Sequence, residues 1–208
     1  MMKFMRFLPI FYISIHNRRE RNYHPKNYCG CRNAKFSEFY MGLPKKGLIE
    51  KMKIESFPSK MWQRLGGSRL GRWVFSKAVC WRVPYFSSIS PFFIEYNKNS
   101  VKVGMSKSKK VTNHIGTIHV IAIANLCELA AGTLMEGFLH PSLRWIPKGM
   151  NIKYIKKANS TLNATATMPS DIKENEVRDV IIPVVVIDEN QIEVVRADII
   201  MYLTPKKS

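Results

Sequence analysis

The sequence predicts an α+β fold in which an antiparallel β-sheet wraps around one long central helix. Residues 118–138 are apolar almost all the way round, a pattern typical of a buried helix. Several short runs after residue 150 alternate between apolar and polar side chains, as half-buried antiparallel strands do. A single apolar helix needs cover on every side, and a curled sheet supplies it.

The first part of the chain carries the positive charge. Residues 1–52 hold eleven Lys and Arg against three Asp and Glu, residues 53–112 hold twelve against two, and residues 113–208 hold ten of each. We therefore predict a basic N-terminal extension over residues 1–52, either disordered or a leader, and a folded domain over residues 53–208. We expect a cytoplasmic protein. The alternative is a protein of the mitochondrial matrix, because a basic leader is typical of a mitochondrial presequence.

The basic excess has two interpretations, an anionic partner or simply a solvated surface. Zinc-finger spacing, an RNA-recognition aromatic signature and a basic region followed by heptads are all missing, so we expect no nucleic-acid partner. Cys29 and Cys31 are too close together for a metal knuckle, and we predict neither a metal site nor a cofactor. Polar residues interrupt both apolar stretches, 1–15 and 118–138, so we expect no transmembrane segment.

The elements follow in order along the chain. Residues 45–85 read as basic amphipathic helices, with Pro58 near the start of one, Gly66-Gly67 at its end and Pro84 closing the next. Residues 91–105 read as a hairpin around a polar turn at 97–100. The long helix over about 118–138 comes next, with Asn113 or Thr117 as its cap. Strands are then expected at 150–155, 162–168, 180–187 and 192–203.

One carboxylate interrupts the apolar helix. Glu128 lies in its middle, where an unpaired charge is costly to bury, so the group is paired, protonated or functional. A structural carboxylate satisfied by a lysine or a backbone N–H and a functional carboxylate are equally compatible with this position.

The segment just before the helix collects further polar groups. Residues 113–119 combine an amide, two imidazoles and a glycine, and they lead directly into the helix. The free N–H groups and positive dipole of a helix start can stabilise an oxyanion. His119 by itself is more often a hydrogen-bonded structural histidine than a catalyst.

The spacing of Asn113, His119 and Glu128 resembles the active-site pattern of PaaI-type hotdog thioesterases. There an Asn precedes a His-Gly-Gly turn by six residues, and an Asp or Glu follows the His by nine. The chain is also similar to an uncharacterised branch of that superfamily over roughly residues 57 to 205. The stretches that carry this similarity are Val83-Pro84-Tyr85, residues 113–119, Asn125-Leu126-Cys127-Glu128-Leu129-Ala130, residues 144–149 and residues 154–158.

The resemblance implies a hotdog homodimer or homotetramer that hydrolyses acyl-CoA, with coenzyme A as part of the substrate. Its active site would lie at the dimer interface. Glu128 would activate water or attack the thioester carbonyl, and the Val120 N–H would polarise that carbonyl. Asn113 would hold water or the thioester, and His119 would fix the turn. The same motifs make Gly116 and Asn125 candidate substrate contacts; Lys156 and Lys157 are candidates for the coenzyme A phosphates, or are simply solvated lysines.

Two departures from the family pattern favour an alternative function. His119-Val120-Ile121 replaces His-Gly-Gly, and larger side chains restrict the close approach that glycine allows. Pro147 also stands where some relatives carry a small polar residue. The alternative is therefore a non-catalytic hotdog protein that binds acyl-CoA or serves as a scaffold.

Overall fold

The computed structural model describes residues 56–172 and 177–206. The predicted extension over residues 1–52 lies outside the described residues. The described part contains helices and strands in the proportions of an α+β fold, as expected. The helices are α1 (Phe57–Leu65), α2 (Arg69–Arg82) and α3 (Val120–Phe138), and the strands are β1 (Phe92–Tyr96), β2 (Ser100–Met105), β3 (Leu143–Tyr154), β4 (Leu162–Thr167), β5 (Arg178–Ile187) and β6 (Glu193–Pro205).

Serine side chains begin both N-terminal helices. The Ser56 hydroxyl accepts a hydrogen bond from the Ser59 N–H, and the Ser68 hydroxyl accepts one from the Gly71 N–H at 3.0 Å. Pro58 lies in the first turn of α1, where its missing N–H costs nothing. A Cβ at position 71 would collide with the Leu65 backbone, so glycine there allows α2 to start close to the end of α1.

All six strands form one antiparallel sheet in the order β1-β2-β4-β5-β6-β3. The predicted hairpin is present as β1 and β2, and the Asn97 side chain holds its turn by accepting from the N–H groups of Asn99 and Ser100. The order places β1 at one edge of the sheet and β3 at the other.

The strand predicted at 150–155 starts earlier, at Leu143. The register shifts between Pro147 and Gly149, which leaves Lys148 as an extra residue in a β-bulge. Residues 143–149 alternate in burial, but apolar Ile146 occupies an exposed position, so the sequence there does not show the period of two that identifies the second half.

Helix α3 packs against the sheet with ten of its residues buried. Among the described residues it is the one helix long and apolar enough to cross a membrane, with a mean hydropathy of 1.3, and it serves here as the core helix. The hydrophobic core joins α3 to side chains on the inner face of the sheet. From α3 the core contains mainly Leu126, Leu129, Leu134 and Met135. From the sheet it contains mainly Val101, Val103, Met105, Leu162, Ile182, Val184 and Ile199.

The expectation that α3 is covered on every side is wrong along one row of residues. Val120, Ala124, Glu128, Gly132 and Glu136 recur every fourth position, and all are partly or fully accessible. We call these five residues the open row. Among the described residues, the sheet and the N-terminal helices cover most of the rest of α3, and β3 borders this row without burying it.

The β1 edge is closed by α2. The buried Ser76 hydroxyl accepts a hydrogen bond from the Phe93 N–H at 2.9 Å, so an edge N–H of β1 is satisfied by a helix side chain. Phe75 stacks edge-to-face on Phe93 and on Trp62, with ring centroids 5.0 Å apart in both pairs. At the opposite edge, β3 pairs with β6 alone, and its outer side meets no other strand of the described residues.

Candidate active site

His119, rather than Asn113 or Thr117, caps the start of α3. Its Nδ1 accepts a hydrogen bond from the Ile121 N–H at 3.1 Å, which makes Nδ1 the unprotonated nitrogen of the ring. Its backbone has extended geometry, and the helix therefore begins at Val120, two residues later than expected. The prediction of Asn113 or Thr117 as the cap is wrong because both belong to a separate loop.

Asn113 organises that loop. Its Oδ1 accepts from the N–H groups of Ile115 and Thr117 at 3.1 and 3.0 Å, and its Nδ2 donates to the Thr117 hydroxyl at 2.7 Å. Gly116 has a φ of 81°, a conformation that favours glycine. The loop is closed by Asn113 N–H donating to the Thr117 carbonyl. One N–H of the Asn113 amide remains for another acceptor.

The start of α3 presents a backbone donor. Within the described residues, no acceptor faces the Val120 N–H, whereas the next two N–H groups bond to His119. The positive end of the helix dipole lies at the same place. The side chains beside it are apolar, with Val120 41% and Ile121 58% exposed. The helix start can therefore polarise a carbonyl oxygen that approaches past these two side chains.

Glu128 lies in the middle of the open row, two turns after Val120. It is half-buried, and desolvation raises the pKa of its carboxyl. In the part of the chain that the structure describes, no lysine, arginine or hydrogen-bond donor pairs with it. The interpretation of Glu128 as a paired structural carboxylate therefore has no support within the single chain, and a raised pKa suits a group that exchanges protons.

Strand β3 meets the open row on both sides of Glu128. At one end, the Tyr154 hydroxyl donates to the Val120 carbonyl at 3.3 Å. At the other end, the Trp145 ring lies over Gly132, where an added Cβ would come within 3.3 Å of it. Glu128 lies between these two contacts on the same row, so the carboxylate faces the side of the helix that β3 borders.

The predicted phosphate-binding lysines follow β3. Lys156 and Lys157 are both exposed, and they lead to Ala158, whose carbonyl accepts a hydrogen bond from the Ile118 N–H at 2.8 Å. Since Ile118 immediately precedes the helix cap, the structure brings both lysines next to the loop that starts α3.

Asn125 is placed differently from the other candidates. It is 6% exposed, and its Nδ2 donates to the Ser88 hydroxyl at 3.2 Å beneath the 3-10 turn Pro84–Ile89. Its Oδ1 has no hydrogen-bond partner within the described residues. The side chain therefore lies beneath the N-terminal cover and away from the open row.

The neighbouring thiol of Cys127 is a core group. Burial raises the pKa of Cys127 to about 12, so the thiol stays protonated and unreactive near neutral pH. Three residues that sequence reasoning missed do contribute: Tyr154 at the helix start, Thr117 against Asn113, and Ser88 against Asn125. The Tyr154 and Ser88 contacts depend on tertiary structure, whereas Thr117 lies in the same local loop as Asn113, four residues further on.

The structure brings together a helix-start N–H, a loop organised by Asn113 and an unpaired carboxylate on one side of α3. The described residues at this site are suited to polarising a carbonyl and moving a proton.

Comparisons with known proteins identify the family. A sequence profile of the domain of unknown function family DUF4442 matches residues 71–203. No curated protein matches the chain. The crystal structure of one genomics target is 36% identical, with a TM-score of 0.63, and the match covers 73% of this chain and all of the other.

More distant solved structures establish the fold. A thioesterase from Haemophilus influenzae is 12% identical with a TM-score of 0.52, over 58% of this chain and 82% of that one. A probable thioesterase from Pseudomonas aeruginosa is 17% identical with a TM-score of 0.56, over 60% of this chain and 89% of that one. Both match the antiparallel sheet and central helix, as expected for a hotdog fold. The chain therefore has the hotdog fold and belongs to the DUF4442 family, a domain of unknown function.

Proposed function

We propose that the protein hydrolyses an acyl-CoA thioester at the interface of a homodimer. The observation that carries this proposal is Glu128, a half-buried carboxylate with a raised pKa and no partner in the described residues, on an accessible row of a largely buried helix. A buried, unpaired carboxylate destabilises a fold, and a catalytic role accounts for its presence.

The reaction follows from the groups at the site. The Glu128 carboxylate takes a proton from a water molecule while the water oxygen attacks the thioester carbonyl carbon. The carbonyl oxygen becomes an oxyanion that the Val120 N–H stabilises. As the C–S bond breaks, the thiolate of coenzyme A takes the proton back from Glu128, leaving a free carboxylic acid. Direct attack by Glu128 is the alternative first step, with an anhydride hydrolysed by water afterwards.

The β3 edge supports a dimer. It is twelve residues long and, within the described residues, pairs with β6 alone; long uncovered edges are a hazard that proteins normally cover. Apolar side chains lie exposed on or just after it, with Ile146 at 55% and Ile155 at 50%. A second copy on this edge would cover the open row and bring its own Asn113 loop towards Glu128, with the spare Asn113 N–H directed at water or the thioester.

The proposed substrate class rests on the names of proteins with the same fold and on two positively charged side chains near the site. Several proteins with this fold are named thioesterases. Lys156 and Lys157 lie beside the helix start, where they suit the phosphates of coenzyme A. Gly116 leaves open space at the tip of the loop, which permits close approach of a ligand.

The test is hydrolysis of a panel of acyl-CoA esters by the full chain and by Glu128→Gln. Loss of a general base lowers kcat by about 100-fold or more. Glu136→Gln is the matched control, because Glu136 lies on the same row two turns further along and is exposed. Glu128→Gln with parental activity, or equal losses in both variants, would refute the proposed role of Glu128.

A second candidate function is binding of acyl-CoA without hydrolysis. The exposed Val120 and Ile121 side chains favour it, because they flank the N–H that a substrate carbonyl must reach. Thermal stabilisation by acyl-CoA without release of free thiol would establish binding alone. Val120→Gly would then be expected to introduce hydrolysis if side-chain bulk is the obstacle.

A further inference from the structure

The outer face of α2 carries large apolar side chains that nothing in the described chain covers. Leu70 is 71% exposed, Trp73 51% and Trp81 84%, and Val74 lies on the same face. They recur at intervals of three, four and seven residues, which places them on one stripe opposite the buried Phe75 and Ser76. Tryptophan exposed to this degree on a helix marks an interaction surface.

Basic residues interleave with these apolar side chains. Lys77 lies within the same stripe, where its Nζ is 5.8 Å from the centroid of the Trp73 ring, and the exposed Arg69 borders the stripe four residues before Trp73. Residues 56–94 contain six Lys and Arg and no Asp or Glu. None of the six pairs with a carboxylate of the described residues. We call Leu70, Trp73, Val74, Trp81, Arg69 and Lys77 the aromatic-basic face.

We propose that the aromatic-basic face binds the surface of an anionic phospholipid bilayer. A helix with tryptophan and leucine among lysine and arginine lies in the plane of a membrane surface, where its apolar side chains enter the headgroup region and its bases contact lipid phosphates. Arg69, Leu70, Trp73 and Phe92 line a shallow, open depression next to this face.

The positive charge of the aromatic-basic face favours an anionic bilayer over a second copy of the chain or its own residues 1–52. A second copy docking face to face would bring the same bases together without an acid between them, which is unfavourable. Residues 1–52, with eleven bases against three acids, carry the same sign. Nucleic acid shares the negative charge, but Leu70 and Val74 have no counterpart on a phosphate backbone, whereas they suit the acyl boundary of a bilayer.

The position of the face is compatible with the proposed dimer. Helix α2 packs on β1, and β1 and β3 are the opposite edges of the sheet. A dimer through β3 therefore leaves the aromatic-basic face of each copy accessible.

Co-flotation of the full chain with vesicles tests the proposal. We expect binding to equimolar phosphatidylcholine and phosphatidylglycerol, and little binding to phosphatidylcholine alone. Trp73→Ser/Trp81→Ser and Arg69→Glu/Lys77→Glu should each weaken binding by roughly tenfold or more. Lys107→Glu/Lys206→Glu, an equal change of charge at exposed positions elsewhere, should have the smaller effect. Thermal unfolding checks that the variants are folded.

A second measurement detects insertion directly. Brominated phosphatidylglycerol should quench tryptophan fluorescence in the parent chain, and Trp73→Ser/Trp81→Ser should abolish that quenching. The proposal is overturned if neither α2 variant weakens binding, or if the control variant loses as much as they do. Tighter binding to single-stranded RNA than to the vesicles, weakened by the same tryptophan changes, would also overturn it, since the face would then serve nucleic acid.

Discussion

At the β1 edge of the sheet, α2 supplies a hydroxyl to a strand N–H and packs Phe75 into an aromatic cluster. At the β3 edge, twelve residues of strand pair on one side only within the described residues, next to a glutamate that has no partner among them. The described part of the chain therefore completes its first edge internally and leaves its second edge open. The contrast indicates that β1 serves stability, and it leaves β3 and the row beneath it for the assembly and chemistry that we propose.

The largest expected effect is at the closed edge. Phe75→Ala removes a fully buried ring that stacks on Trp62 and Phe93, and it should lower the free energy of unfolding by about 3–5 kcal/mol. Leu70→Ala on the exposed face of the same helix should change it by less than about 0.5 kcal/mol. Urea denaturation measures both, and equal losses would contradict the assignment of α2 as the cover of this edge.

A substitution at the open β3 edge should change the affinity of the proposed dimer rather than the stability of the fold. Ile146→Arg places a charge on the exposed side of β3 and should weaken the dimer by about tenfold or more, which is about 1.4 kcal/mol. Light scattering across a dilution series measures the change. Ile181→Arg is the control, because Ile181 is 54% exposed against 55% for Ile146 but lies on β5. A dimer that survives the first change and not the second would place the interface elsewhere.

The helix start beside the open edge should show a smaller effect. His119→Ala removes the acceptor of the Ile121 N–H and should cost about 1 kcal/mol of stability. His119→Asn keeps a capping acceptor and should stay within a few tenths of a kcal/mol of the parent. If both variants lose activity while only the first loses stability, the imidazole contributes to the reaction beyond its role as a cap.

The smallest expected effect is a pH dependence from Glu128. Burial raises its folded-state pKa above the ordinary value of 4.5, so the folded chain holds this proton to higher pH than the unfolded chain does. The parent should therefore lose stability relative to Glu128→Gln as the pH rises above 4.5, and the two should converge below it. Denaturation of both proteins across pH 4 to 8 checks the sign, and an opposite trend would mean that Glu128 is paired.

The sequence predicts the regular helices and strands of this fold well, because the spacing of apolar residues along them follows which side chains are buried. The hairpin, α3 and strands β4 to β6 lie close to their expected ranges. The start of β3 is missed because Ile146 is apolar but exposed, so the sequence there does not alternate although the burial does. The open row is missed because apolar residues occupy it as well, so Ala124 looks as buried as Ala130 until the sheet is in place.

For the site, the spacing of Asn113, His119 and Glu128 identifies the right segment but not the contacts within it. The capping role of His119 and the loop bonds of Asn113 depend on backbone geometry. Tyr154 and Ser88 come from distant parts of the chain. The roles proposed for these residues in catalysis and binding stay predictions until the variants are measured.

The strand order has a consequence for how such a chain can evolve. Four strands separate β1 from β3, a distance of roughly 24 Å along the sheet. Substitutions this far apart that share no neighbour are additive in their energies. The proposed membrane binding can therefore change without disturbing the proposed dimer, and the proposed substrate site can change without disturbing membrane binding. A double variant that combines Trp73→Ser with Ile146→Arg should show the sum of the two losses and no coupling between them.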